Sequence, residues 1–505
     1  VSRAVARTFV SPARRASRAF RIAATAWAIH ASILVASTAC APRTTAPPPY
    51  ELKDVVAPAL SIAEGRAAAA APAAAVVEIT SDAREQVEGL IGSWTSTDAR
   101  LRALAAEDAR ALSASGVAAA AAVVGDETQD AARRVAAARI LGESKTAAAG
   151  EALLLPLEKS RVAEVRAQCA FQLGRVEQEH LLPRMLLRLK YETDGDTVIW
   201  LAQALSRYGN LAGVDGLWVL ATTARDENVR ASAANVGAEL ANEFGSSDLA
   251  GLRADWFSGA LEARRPRVAP GPRLEAEAWR RIATLSAWDL RQVDDARFVL
   301  VASSDWVVPH LVAALHDANA YTRIHAAQVL ERRGRRAASA VDALVDALRE
   351  PRLATAAAAA LGAIGDARAA PTLIARLESG TSFDVRVACA RALGVLGARE
   401  AVAPLEKAFA ATQPADLRQA AAQSLLALDA RAEAATYLAG LLAEGTGDAV
   451  GAEDALERHL ASRSDESGRA LHERWKQLDV RAGDIATTEE SRIRQRARGA
   501  LLQPP

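Results

Sequence analysis

A ten-residue pattern recurs along most of this chain at a spacing of 31 or 32 residues, and its best copy runs from Val385 to Gly394 as Val-Arg-Val-Ala-Cys-Ala-Arg-Ala-Leu-Gly. Copies open at Leu101, Arg133, Val165, Thr197, Val229, Leu290, Thr322, Leu353, Val385 and Leu417; the double gap after Val229 leaves room for a degenerate copy near Leu261. Self-similarity at a fixed period constrains the fold more than any single residue does. A unit this short cannot bury its apolar face alone, so neighbours must stack.

The pattern is helical. Positions 1, 5, 6 and 9 share one face of a 3.6-residue helix. The sixth is Ala106, Ala138, Ala170, Ala202, Ala234, Ala327, Ala358, Ala390 or Ala422 in nine copies. Small residues there permit close helix approach, while leucines such as Leu141, Leu330 and Leu393 fill the ninth position. Gly142, Gly174, Gly362 and Gly394 follow at the tenth. They are expected to end the helix in the left-handed conformation. A second apolar segment comes next, as in Pro371–Leu377 and Pro404–Phe409, with proline suited to a first helical turn. One repeat is therefore a helical hairpin.

Val-Arg-x-x-Ala-Ala-x-x-Leu-Gly at this period resembles the short HEAT-like repeat of the phycobilisome-lyase type, over roughly residues 95 to 445. The resemblance implies an all-α, right-handed α-solenoid. It says little about activity, because repeats of this kind serve many binding and scaffold proteins.

Arginine fills position 2 in eight copies: Arg102, Arg134, Arg166, Arg230, Arg291, Arg323, Arg386 and Arg418. We read it as a structural ladder, its stem covering apolar surface and its guanidinium meeting a carboxylate or helix-end carbonyl of the adjacent repeat. Glu164, Asp196, Asn228, Asp289, Asp384 and Asp416 directly precede the motif and read as helix caps. Cys169 and Cys389 sit at position 5, where alanine is usual, and read as small buried hydrophobes.

Half of the 505 residues are apolar and only 4% aromatic, which suits a long, thin core of Ala and Leu. Lys+Arg and Asp+Glu each number 61, so the basic field of a dedicated nucleic-acid binder is absent and no nucleic acid is expected as partner. Residues 1–40 differ. Six arginines without an acid lead into an apolar run from about Ile22 to Val35, closing on Ser37, Thr38, Ala39 and Cys40. The order reads as an export signal. It admits lipoprotein processing at Cys40, ordinary cleavage after Ala39, an uncleaved anchor or an Arg-rich transit peptide. The expected location is a membrane-attached cell envelope, otherwise the periplasm or medium.

Residues 41–90 read as a Pro/Ala-rich tether, 91–262 and 274–445 as two repeat blocks, and 446–505 as a helical cap with a basic tail. Between the blocks, 263–273 form a break in which Pro266, Pro270, Gly271 and Pro272 interrupt any helix. In the copy assigned to Leu290, Asp294 and Asp295 stand where small residues belong, and Trp256, Trp279, Trp288 and Trp306 gather nearby. Local rules fail most often at functional or strained sites. The candidate partner-binding residues are accordingly Arg265, Arg267, Trp279, Trp288 and Trp306, for a protein partner the sequence does not name. The alternative is a degenerate repeat whose rings fill irregular stacking.

The seven histidines show no metal-ligand spacing, and no phosphate loop or nucleophile elbow is present. His316, Asp317 and His325 could converge on a loop, but they carry no metal-site motif. No cofactor, metal or catalytic residue is expected. The reading is a non-catalytic interaction scaffold; its alternative, implied by the resemblance, is a bilin-lyase-like or other accessory enzyme.

Overall fold

The computed structural model describes residues 77–480 except 177, 262–269, 381 and 464–465. Helices and turns make up all of it, with no strand among the described residues. They fall into two compact units, 77–256 and 257–480.

The first unit opens with α1 (Ser81–Thr95). Hairpins follow: α2 (Ala99–Arg110) and α3 (Ala114–Gly125), α4 (Ala131–Ser144) and α5 (Ala147–Lys159), α6 (Ala163–Val176) and α7 (Leu182–Tyr191), α8 (Gly195–Arg207) and α9 (Val214–Thr223), α10 (Glu227–Phe244) and α11 (Leu249–Ser258). The unit boundary falls in the last turn of α11. The motif lies on the first helix of each hairpin, and these first helices stack α4 on α6 on α8 with their partners in a second layer.

The second unit begins with α12 (Pro272–Thr284) and repeats the plan: α13 (Leu290–Ala302) and α14 (Val308–Ala314), α15 (Ala320–Arg333) and α16 (Val341–Ala347), α17 (Ala354–Ile364) and α18 (Ala370–Ser379), α19 (Phe383–Leu396) and α20 (Val402–Phe409), α21 (Ala415–Ala427) and α22 (Glu433–Glu444), α23 (Ala449–Ser462) and α24 (Glu466–Val480). Each unit is a stack of such helix pairs, in which the second helix of one pair packs chiefly against the first helix of the next, the solenoid plan that the period requires.

The hairpins start where polar caps stop the chain. Asp98, Asp130, Asp194, Asp226, Asp289 and Asn319 each accept a hydrogen bond from a first-turn amide. Five of these caps stand three residues before a motif copy. Glu164, Asp196, Asn228, Asp384 and Asp416 therefore are not caps but first-turn residues, where the helix dipole still favours the acids. The sixth, Asp289, corrects a register. Counting three from it opens the copy at Gln292 rather than Leu290, and Ala296, not Asp295, becomes the buried small residue. Asp294 and Asp295 face outward from the seam, and Arg297 takes the place of the sixth-position alanine.

Seven of the nine motif alanines are buried, Ala390 completely; Ala106 is half-buried and Ala234 exposed. The tenth-position glycines do not end helices. A β-carbon on Gly174 would meet the Ala204 Cα at 2.8 Å, one on Gly362 the Ala392 Cα at 2.8 Å, and one on Gly142 the Gln172 side chain. They are contact points between successive first helices. Termination falls three residues later, at Gly365 and Gly397 with φ near +75°.

The arginine ladder is present and mainly local. Arg102, Arg166, Arg230 and Arg323 each donate to the carbonyl six residues back, capping the C-terminal end of the preceding segment. Arg166 also grips Glu192 with two bonds of 3.0 Å, and Arg323 grips Glu350. Arg418 instead lies over the Tyr437 ring, 4.2 Å from its centroid.

Candidate protein-binding surface

The irregular start of the second unit sorts the predicted tryptophans into two groups. Trp279 on α12 and Trp306, in the short 3-10 turn Asp305–Val307, are half-buried against the core. They flank His310 of α14, with centroid separations of 5.2 and 5.7 Å and edge-on geometry. His310 Nε2 donates to Glu275 Oε1 at 3.2 Å. The cluster is packing between second-layer segments, and it spaces Trp279 from His310, and Glu275 from Trp306, by one 31-residue period.

The turn that carries Trp306 is pinned from below. Asp305 is buried and accepts from Arg333 Nη2 at 2.5 Å and Arg336 Nε at 3.1 Å. Arg333 also donates to the carbonyls of Leu300, Val301 and Ser303, closing the end of α13. A buried, multiply bonded pair of this kind holds geometry more than it adds stability. Trp306 is thus held in place as a wall of the core.

Trp288 belongs elsewhere. It is fully exposed just before the Asp289 cap, and Leu290 beside it is 81% exposed. At the matching edge of the next repeat Tyr321, in the first turn of α15, is also exposed. Other large apolar side chains reach water, Leu101 and Val395 among them, but these three are the most exposed among the described residues and gather at the N-terminal edges of two consecutive first helices. Sequence reading found Trp288 but missed Leu290 and Tyr321. The signal was available, because their places relative to the caps Asp289 and Asn319 mark them as first-turn, outward residues.

Arg265, Arg267 and Cys40 lie outside the described residues, as do the tether up to residue 76, most of the 263–273 break and the arginines of the C-terminal tail. No helix among the described residues is long and apolar enough to cross a membrane. Nor do three or more potential metal ligands converge among them. His325 Nδ1 bonds to the Leu285 carbonyl, and Asp317 accepts from the Asn319 amide, so the trio with His316 is not assembled. Burial pushes the thiols of Cys169 and Cys389 up to about 12. Thiols held this far from ionising are core residues, as their place in the motif implies. Arg297, in its alanine position, is pushed down to about 10 by burial and by the charge of Arg332.

Residues 308–386 and 370–457 match a family model described as HEAT repeats. This part of the chain is a HEAT-repeat array, a fold of protein-interaction scaffolds. Curated proteins gave no match. Among solved structures, the complex of CpcE and CpcF of phycocyanin lyase from Nostoc sp. is similar at 21% identity, covering 47% of this chain and 96% of that one, with a TM-score of 0.30. Human deoxyhypusine hydroxylase in complex with glycerol is similar at 18% identity, 58% and 98% coverage and a TM-score of 0.22. A crystal structure of importin beta is similar at 14% identity, 83% and 67% coverage and a TM-score of 0.28. Scores this low carry no argument about function.

Proposed function

We propose that this protein is a non-catalytic scaffold that seats a protein partner on the edge formed by Trp288, Leu290 and Tyr321. The observation that carries the reading is that Trp288, Leu290 and Tyr321 are the three most exposed large apolar side chains among the described residues. Tryptophan and tyrosine are favoured anchors of protein interfaces, because a large rigid ring buries much area at little entropic cost. A solenoid offers such anchors on adjacent repeats with fixed spacing. Arg265 and Arg267 stay as candidate contacts on sequence grounds.

The basic, apolar and small-residue order of residues 1–40, followed by a Pro-rich spacer, supports export and a membrane tether at Cys40. The scaffold would then work in the cell envelope. Quantitative co-purification with the full chain tests the partner site. The Trp288→Ala, Leu290→Ala double variant should lose the partner while keeping its thermal midpoint; unchanged recovery rejects the edge as the docking site.

A further inference from the structure

A second site lies in the first unit, away from the tryptophans that sequence reading selected. Successive first helices α6 and α8 leave a cavity of about 350 Å³ between their outward faces. That is the small end of the range for ligand pockets, roughly 300 to 1,000 Å³. Phe171 and Trp200 wall one side, edge to face with centroids 4.9 Å apart. Glu164, Asp194 and Asp196 bring three carboxylates to the same cavity, and no lysine or arginine lines it.

The carboxylates are not equally engaged. Asp194 caps α8, its Oδ2 accepting from the Thr197 amide at 2.9 Å and hydroxyl at 2.7 Å. Glu164 and Asp196 make no hydrogen bond or ion pair among the described residues. Partial desolvation at the cavity mouth, with the like charges of Asp194 and Asp226, pushes the Asp196 carboxyl above its usual range. Repulsion between uncompensated acids is relieved by a cation. Outside the lining, the Arg175 guanidinium is tied to Glu143 at 2.7 Å and sits 6.0 Å from the Phe171 centroid, one helical turn along the same helix.

We propose that this cavity binds a cationic side chain, arginine or lysine, presented by a protein partner, with Phe171 and Trp200 packing its stem and Glu164 and Asp196 meeting its charge. The proposal rests on the scaffold reading for the source of the side chain, but the pocket chemistry stands apart from it. Carboxylates beside aromatic rings discriminate charge at constant shape.

The test uses the full chain labelled with 5-fluorotryptophan, with Trp200→Phe serving only to assign the Trp200 resonance. The peptide Ac-Gly-Arg-Gly-NH₂ should shift that resonance saturably, and its citrulline isostere should not. Asp196→Asn and Glu164→Gln, both at exposed positions, should fold normally and each weaken binding by about tenfold, the equivalent of about 1.4 kcal/mol. An equal response to the lysine peptide assigns the site to charge alone, whereas an arginine-only response assigns it to the planar guanidinium. No shift with either cation, an equal shift with citrulline, or unchanged affinity in both variants overturns the proposal. Peptide binding that survives while Trp288→Ala leaves partner recovery intact would retire the scaffold edge and keep the pocket; the converse would keep the edge alone.

Discussion

Gly394 lies directly against Ser424 of the following repeat, so that a β-carbon on the glycine would fall 2.6 Å from the Ser424 Cα and 2.4 Å from its Oγ. The serine is fixed from the other side, where its hydroxyl donates to the Ala390 carbonyl at 2.7 Å. Gly394→Ala should therefore overpack the seam and cost about 1 to 3 kcal/mol, as should Ala390→Leu one turn earlier. Gly397→Ala loses its left-handed backbone instead, at about 1 to 2 kcal/mol. Denaturant midpoints separate the two causes: asparagine at 397 should recover part of the loss, because it tolerates that backbone, and asparagine at 394 should not.

Acid should loosen the first unit through Glu192, whose side chain is fully buried between Arg166 and Arg188. Burial alone would raise its pKa, but hydrogen bonds from Arg166, the Asp194 amide, Arg188 and the Thr193 amide hold it below the usual 4.5. A depressed carboxylate contributes stability that is complete above the unfolded pKa and is lost as pH falls through the folded one. Unfolding free energy should thus drop as pH falls below 4.5, and Glu192→Gln should flatten that part of the profile. Arg166→Ala, which removes two charge-assisted bonds from the buried carboxylate and leaves it to Arg188 and the two amides, should cost about 1.5 to 3 kcal/mol at neutral pH. A wild-type profile that stays flat below 4.5 would contradict this.

Much of this architecture was legible in the sequence, because a repeat writes the same packing problem many times. The alanines, leucines and ladder arginines each recur at a position whose neighbours are alike in most copies. Glycine at the tenth position misled for a physical reason: a residue without a β-carbon serves both a left-handed turn and a close helix contact, and sequence alone does not say which. The register of α13 was misassigned because Arg291 mimics the ladder arginine, whereas the Asp289 cap fixes the true start. The acid-lined cavity was invisible, since Glu164 and Asp196 come together only when α6 and α8 stack.

The two groups of tryptophans should respond differently to truncation. Trp306→Ala removes a half-buried ring from a pinned core turn and should cost about 2 to 4 kcal/mol, at or below the usual range for core aromatics. Trp288→Ala removes a ring that touches nothing and should change stability by less than about 0.5 kcal/mol. Thermal and denaturant unfolding of the two variants compare them directly, and equal losses would reject the division.

If Cys40 is the lipid attachment site, radiolabelled palmitate should enter the wild type and not Cys40→Ser, and the variant should leave the membrane fraction. Equal labelling would dismiss Cys40. Membrane retention without label would assign the anchor to the apolar run instead.

The exposed edge of the second unit is the centre of the functional reading, and site-specific photocrosslinking at that edge tests it most directly. With benzoylphenylalanine in place of Trp288, irradiation in an extract of the source cells should give one defined protein adduct. Excess unlabelled wild type should suppress that adduct, and excess Trp288→Ala, Leu290→Ala double variant should not. The same probe at Arg349, exposed elsewhere in the unit, should give no such product. An absent adduct at 288, or one competed equally well by the double variant, would contradict the assignment of this edge as the partner site.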